Sequence, residues 1–165
     1  MIKPQKVPFA NTTIPAKKTR EDIDKLLEDY GIEQVQWTQD KTQIILNIGV
    51  EAEINGQTRN LALTFKPPMF LSLQKVYDEE EGRVVKKQYP NKAVSMRLLY
   101  HYLKMKLSFV GMGITRIEEE FLGEIVVRTQ RGPQKIFDYI NSQGLLALPS
   151  GEEPTPRALQ EADDS

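Results

Sequence analysis

The alternation of apolar and polar positions is most regular between Val35 and Phe65. Val35, Trp37, Ile44, Leu46, Ile48, Val50, Leu61, Leu63 and Phe65 recur at two-residue spacing within three runs. That period marks strands with one buried face. Asn55-Gly56 separates the second and third runs, and both positions favour the positive φ that a two-residue hairpin turn requires. Folding about it sets Val50 opposite Leu61, Ile48 opposite Leu63 and Leu46 opposite Phe65. A turn at Asp40-Lys41 sets Trp37 against Ile44 and Val35 against Leu46. A one-residue slip would turn a strand's apolar set into water, and both turns put the whole set on one side. The pattern predicts a three-stranded antiparallel meander. Its other face carries Gln34, Gln36, Thr38, Gln43, Asn47, Glu51, Asn60 and Thr64. Pro67-Pro68 ends the third strand.

Helical spacing flanks the meander. Ile23, Leu26, Leu27 and Tyr30 follow at i, i+3, i+4 and i+7, with Thr19 as the expected N-cap, Asp22 three residues on and Gly31 as the stop. A second helix is expected over about 92–110, capped by Asn91, with Met96, Leu99, Leu103, Leu107 and Val110 as its buried stripe. Gly111-Met112-Gly113 breaks it. Thr115 and Glu118 match a capping box opening a third helix with Ile117, Phe121, Leu122 and Ile125. A short fourth helix is expected from Pro133, carrying Ile136, Phe137 and Ile140. Phe70, Leu71, Leu73 and Val76 fit a short strand or a short helix equally, and residues 78–91 read as a charged loop. The expected fold class is α+β: a three-stranded antiparallel meander covered on one face by helices, in the order α-β-β-β-α-α with a further short helix. Residues 1–18, with Pro4, Pro8 and Pro15 among four lysines, read as an extended basic arm. Residues 19–144 form the domain, and 145–165 read as a disordered acidic tail.

Composition narrows the chemistry. There is no cysteine in the 165 residues, which removes disulfides, thiolate metal sites and a cysteine nucleophile, and fits a reducing cytoplasm. No stretch approaches the ~20 apolar residues of a membrane span, and Met1-Ile2-Lys3-Pro4-Gln5-Lys6 leads into no apolar run. The expected location is the cytoplasm, with no membrane partner.

Charge changes the picture most. The whole chain carries −1, yet Gly82 to Ile117 holds Arg83, Lys86, Lys87, Lys92, Arg97, Lys104, Lys106 and Arg116 and no Asp or Glu. Acidic runs bracket it, Asp78-Glu79-Glu80-Glu81 before and Glu118-Glu119-Glu120 after. Such a block produces a local field that favours a polyanion. Arg97, His101 and Lys104 share a side of the second helix, away from its apolar stripe. Tyr89, Tyr100 and Tyr102 are interleaved with them, positioned to stack on bases or bond to phosphates. The candidate nucleic-acid-binding set is therefore Arg83, Lys86, Lys87, Lys92, Arg97, His101, Lys104 and Lys106. The competing reading is a solvated face paired internally with the flanking acids. The polar sheet face lacks exposed aromatics, because Trp37 falls on the apolar side.

Catalytic constellations are missing. His101 is the single histidine and has no partner for a triad or a multi-histidine metal site. Glu118 is taken by the capping box; Glu120 and Glu124 share a helix face but have no second ligand cluster. No Walker, Rossmann, GxSxG, HExxH or EF-hand pattern occurs. The expectation is no enzyme, no catalytic residue, no metal and no cofactor.

The stretch Thr19 to Leu122 resembles a family of small uncharacterised phage and prophage proteins. The resemblance lies in Lys18-Thr19-x-x-Asp22-Ile23-x-x-Leu26-Leu27-x-x-x-Gly31, a β-meander, and a long helix running into Ile114-Thr115-x-Ile117-Glu118-Glu119-x-Phe121-Leu122. It implies a phage-encoded accessory protein and supplies no catalytic residues. The order helix, three strands, helix is also similar to double-stranded RNA-binding domains, with Lys86-Lys87 and Lys92-Ala93 echoing their signature; that likeness is one of topology. The expected function is a non-enzymatic accessory protein binding DNA or RNA phosphates through the basic helix and loop, with little sequence preference. The alternative is a protein-interaction or virion-assembly module whose basic helix docks an acidic partner.

Overall fold

The structure, a computed structural model, describes residues 7–143. The arm's first six residues and the acidic tail lie outside the described residues. Helix α1 (Ala16–Asp29) leads into a three-stranded antiparallel sheet of β1 (Gln34–Gln39), β2 (Ile44–Ile54) and β3 (Gln57–Phe65), in that spatial order. A separate two-stranded hairpin, β4 (Leu71–Asp78) and β5 (Arg83–Pro90), precedes the long helix α2 (Lys92–Gly111). A single turn of helix, α3 (Ile117–Glu120), and a 3-10 turn at Leu122–Glu124 lead to a small hairpin of β6 (Val126–Thr129) and β7 (Gly132–Lys135), then to α4 (Ile136–Ser142).

The meander forms as its pattern requires. Asn55 and Gly56 both have positive φ (53° and 71°), and the β2–β3 register pairs Val50 with Leu61, Ile48 with Leu63 and Leu46 with Phe65. The β1–β2 register differs from the expected one by two residues: Trp37 faces Leu46 and Val35 faces Ile48. The cause is a longer turn. Asp40 Oδ1 accepts the Thr42 and Gln43 backbone N–H groups at 2.6 and 2.9 Å, so the loop spans 40–43 instead of turning at 40–41. A slip of two keeps every side chain on its face. Ile44, Leu46, Ile48, Val50, Leu63 and Phe65 are buried in one cluster with Ile23 and Leu27 of α1 and Met96, Leu99, Leu103 and Leu107 of α2. On the opposite face Thr64 Oγ1 donates to Asn47 Oδ1 across the strands at 2.8 Å.

Elsewhere the sequence expectations need correction. Helix α1 starts at Ala16 behind Pro15, so residues 16–18 are helix rather than arm. Thr19 is not the N-cap; it is fully buried, and its hydroxyl donates back to the Pro15 carbonyl at 3.4 Å. The charged loop at 78–91 is instead the turn and second strand of a hairpin. Asp78 Oδ1 accepts the Glu80 and Glu81 N–H groups, and Gly82 supplies φ 61°. Asn91 does cap α2, accepting from Val94 N at 3.3 Å. Val110 is half-buried rather than buried. The cap is one residue later than expected: Arg116 is the N-cap, its backbone N–H donates to Glu119 Oε2 at 3.4 Å, and α3 ends after one turn. Gly123 and the β-branched run Ile125-Val126-Val127 then favour strand over helix. Pro133 lies in β7, where it faces Arg128, and α4 begins three residues after it.

Candidate interaction surface

The β4–β5 ribbon pairs with no other strand among the described residues, so both of its edges are free. Its base is tied to α2. Asn91 N donates to Phe70 O at 2.7 Å, and the buried Ser95 hydroxyl donates to Pro68 O at 2.7 Å while standing 3.5 Å from Phe70 N. In an antiparallel ribbon, directly opposed residues share a face. One face carries Ser72 with Tyr89, Gln74 with Lys87, Val76 with Val85, and Asp78 with Arg83. Lys87 Nζ meets Asp78 Oδ2 there at 2.7 Å, and that hydrogen bond holds the Asp78 carboxyl below its usual range. The other face carries Leu71, Leu73 with Gln88, Lys75 with Lys86, and Tyr77 with Val84. Leu71, Leu73, Tyr77 and Val84 are each 59–64% exposed. Lys75 and Lys86 oppose one another at the centre of this face, and neither makes an ion pair among the described residues. Like charges opposed across a ribbon repel, and large exposed apolar side chains are left in water. Both costs fall when a complementary surface covers the face.

The sequence-predicted basic set does not form one open cationic surface. Arg83 bonds Glu81 at 2.7 Å, and Lys87 bonds Asp78. On α2, Arg97 is nearly covered; its guanidinium reaches Asp22 of α1 at 3.7 Å and lies 4.8 Å from the Tyr100 ring centre. Lys106 turns toward the core. It donates to the Glu120 carboxylate and backbone carbonyl, both at 2.7 Å, beside the rings of Tyr102 and Phe121. Burial first, then Glu124 and Glu120, pushes the Tyr102 hydroxyl up to about 12. Lys86 on the ribbon, Lys92 at the start of α2 and Lys104 on its outer side are the members without an ion pair among the described residues. They are spread over two elements. Arg97 and Lys104 lie over Tyr100 and Lys106 lies over Tyr102, leaving Tyr89 as the exposed tyrosine of the three.

His101 is packed rather than poised. The Phe9 ring stacks on it at 4.4 Å, and Arg97 Nη2 stands 3.2 Å from its Nε2. Arginine only donates, so Nε2 is the acceptor and the ring is neutral. Burial, Arg97 and Lys104 all lower its pKa.

The carboxylates singled out from the sequence, Glu118 to Glu120 and Glu124, each lie beside a cation. Glu119 binds Arg116 at 2.7 Å, Glu118 stands 3.2 Å from the Arg116 Nε, Glu120 holds Lys106, and Glu124 pairs with Lys135. Among the described residues no cluster of three metal-ligating side chains occurs, and no helix is long and apolar enough to cross a membrane.

Leu71, Leu73, Lys75, Tyr77 and Val84 were not among the sequence-predicted site residues. Their signal was present in the two-residue alternation Leu71-x-Leu73-x-Lys75-x-Tyr77 and in Gly82 after an acidic turn.

The chain matches no known family, no curated protein and no solved structure.

Proposed function

We propose that this chain is a non-enzymatic interaction module that docks a protein partner on the Leu71–Lys75–Tyr77 face of the β4–β5 ribbon. The carrying observation is that one projecting face combines four solvent-exposed apolar side chains with an unneutralised pair of opposed lysines. The matching partner surface is apolar, with a carboxylate placed to meet Lys75 and Lys86. The charge pattern favours protein over nucleic acid. Residues 71–90 hold Lys75, Arg83, Lys86 and Lys87 against Asp78, Glu79, Glu80 and Glu81. A phosphate backbone drawn to the stem would therefore meet four carboxylates at the tip. The docking element differs from the basic helix that the sequence pointed to, since Arg97 and Lys106 are committed within the fold.

A photoreactive side chain at position 77 (Tyr77→p-benzoylphenylalanine) tests this in an extract of the source cells. Cross-linking to protein is expected, and its loss is expected when Leu73→Asp is added. Retention of DNA or RNA at low salt that falls steeply with salt and disappears in Lys86→Glu/Lys104→Glu would replace this reading with the nucleic-acid one.

A further inference from the structure

A second apolar surface lies on the outer side of α2. The helix buries Met96, Leu99, Leu103 and Leu107 on one side, and Met105, Phe109 and Met112 follow at i, i+4 and i+7 on another, continued by Ile114 beyond the helix. Met105, Met112 and Ile114 are 58%, 63% and 67% exposed. Phe9 covers His101 on this side, so the N-terminal half is sheltered by the chain itself and the C-terminal half is bare. Unpaired charges lie near the bare half. Lys104 is exposed beside Met105 and makes no ion pair among the described residues. Glu28 and Asp29 close α1, exposed and likewise unpaired. The end of α1 lies beside the end of α2, where a Cβ on Gly111 would stand 2.8 Å from the Tyr30 ring.

The ribbon carries groups of complementary kind. From its tip inward come Glu79 and Glu80, unpaired among the described residues, then Tyr77 with Val84, then the unpaired Lys75 and Lys86, then Leu73. Along the stripe come Lys104, then Met105 and Phe109, then Met112 and Ile114, and Glu28 and Asp29 close the neighbouring α1. The spacings agree. Tyr77 to Leu73 is four strand residues, about 13 Å, and Met105 to Met112 is seven helix residues, about 10 Å.

We infer that the partner of the ribbon is a second copy of this chain, gripped along the Met105–Phe109–Met112 stripe. This rests on the ribbon being a docking face, as proposed above. Tyr77 and Val84 cover Met105 and Phe109, Leu73 reaches Met112 and Ile114, the acidic tip meets Lys104, and Lys75 with Lys86 meets Glu28 and Asp29. Ribbon and stripe are different patches, so the contact is head-to-tail. Each added copy presents a fresh ribbon and a fresh stripe, which gives a ring or an open chain of subunits.

Sedimentation velocity of the full chain over a concentration series tests this. Growth past the dimer with rising concentration is expected. Leu73→Asp/Tyr77→Asp and Met105→Asp/Met112→Asp change exposed residues, and circular dichroism verifies that each variant is folded. Each alone is expected to be monomeric. Mixed in equal amounts they are expected to form a one-to-one dimer that grows no further, because one intact ribbon and one intact stripe remain. Self-association without that complementation overturns the head-to-tail contact. A wild-type chain monomeric throughout overturns the inference. In that case mass spectrometry of the position-77 cross-link separates the two readings: a different protein leaves the docking face standing, and no protein adduct removes both.

Discussion

The hairpins β2–β3 and β4–β5 are both antiparallel, and both turn through a glycine at positive φ, Gly56 at 71° and Gly82 at 61°. In β2–β3 the apolar set Leu46, Ile48, Val50, Leu63 and Phe65 is buried against α1 and α2. In β4–β5 the apolar set Leu71, Leu73, Tyr77 and Val84 faces water. Strand formation needs only local alternation and a turn; stability needs a covering layer. A lone two-stranded ribbon is marginal in water. Here its base is fastened to α2 through Phe70, Asn91 and Ser95, which fixes where it projects. The difference separates a face that folding has covered from one left open for a partner.

The sharpest way to break this comparison is to truncate one leucine in each hairpin. Leu63 is fully buried, so Leu63→Ala should lower stability by about 2–5 kcal/mol. Leu73→Ala should change it by no more than about 0.5 kcal/mol. Urea midpoints at constant slope measure both. Equal costs would mean that the ribbon face is covered within the folded chain.

The same contrast explains what the sequence revealed. The meander was legible because burial imposes period two on three runs and Asn55-Gly56 fixes the β2–β3 register without help from distant residues. The β1–β2 offset was not, because it depends on Asp40 choosing the Thr42 and Gln43 amides over a tighter turn. The ribbon's alternation is diluted by exposed polar positions, and its four consecutive acidic residues mimic a solvated loop. The β6–β7 hairpin rests on four-residue strands around Gln130-Arg131, too short for periodicity to register. Of the proposed face only Lys86 was in the sequence-predicted set. The absence of carboxylates from 82–117 in sequence was real, but Asp22, Asp78 and Glu120 come to Arg97, Lys87 and Lys106 through folding. Pairing across elements does not show in a one-dimensional charge count.

A smaller loss is expected where the two regions join. The Ser95 hydroxyl is buried and satisfies the Pro68 carbonyl. Ser95→Ala should cost about 1–2 kcal/mol by leaving that acceptor without its donor. It should also loosen the ribbon's base, read as faster hydrogen exchange at Phe70 and Asn91 with the meander unchanged below the global limit. Unaltered exchange at Asn91 would show that Ser95 does not anchor the ribbon.

The two turns offer a finer comparison. Gly56→Ala and Gly82→Ala each force a side chain into positive φ, with no neighbouring atom within 4 Å of the added carbon. Strain alone is therefore added, about 1 kcal/mol in each turn. At Gly56 it should appear in full in global unfolding, because β2 and β3 belong to the core. At Gly82 it should appear only in local exchange of the ribbon amides, which open without the rest of the protein. A full global cost at Gly82 would make the ribbon part of the cooperative unit.

The smallest effect is a pH dependence confined to the body. His101 is neutral under Phe9, accepts from Arg97, and has Lys104 one turn further along α2; Asp22 of α1 faces the Arg97 guanidinium. Its pKa in the fold lies below the ordinary 6.5, through burial, then Arg97 and Lys104. As pH falls through 6.5 the unfolded chain takes up a proton before the folded one does. Stability must therefore decline from about pH 7 until the folded histidine also titrates, and level off below that. Most carboxylates titrate lower, which leaves the upper part of this window to the histidine. His101→Gln retains an acceptor for Arg97 and cannot titrate, so its stability should be flat from pH 7 to 6 where the wild type slopes. The ribbon holds no histidine, so the position-77 cross-link yield should stay constant across it. A yield that follows the His101 titration would tie the ribbon to the N-terminal segment that Phe9 anchors and remove the independence of the two regions.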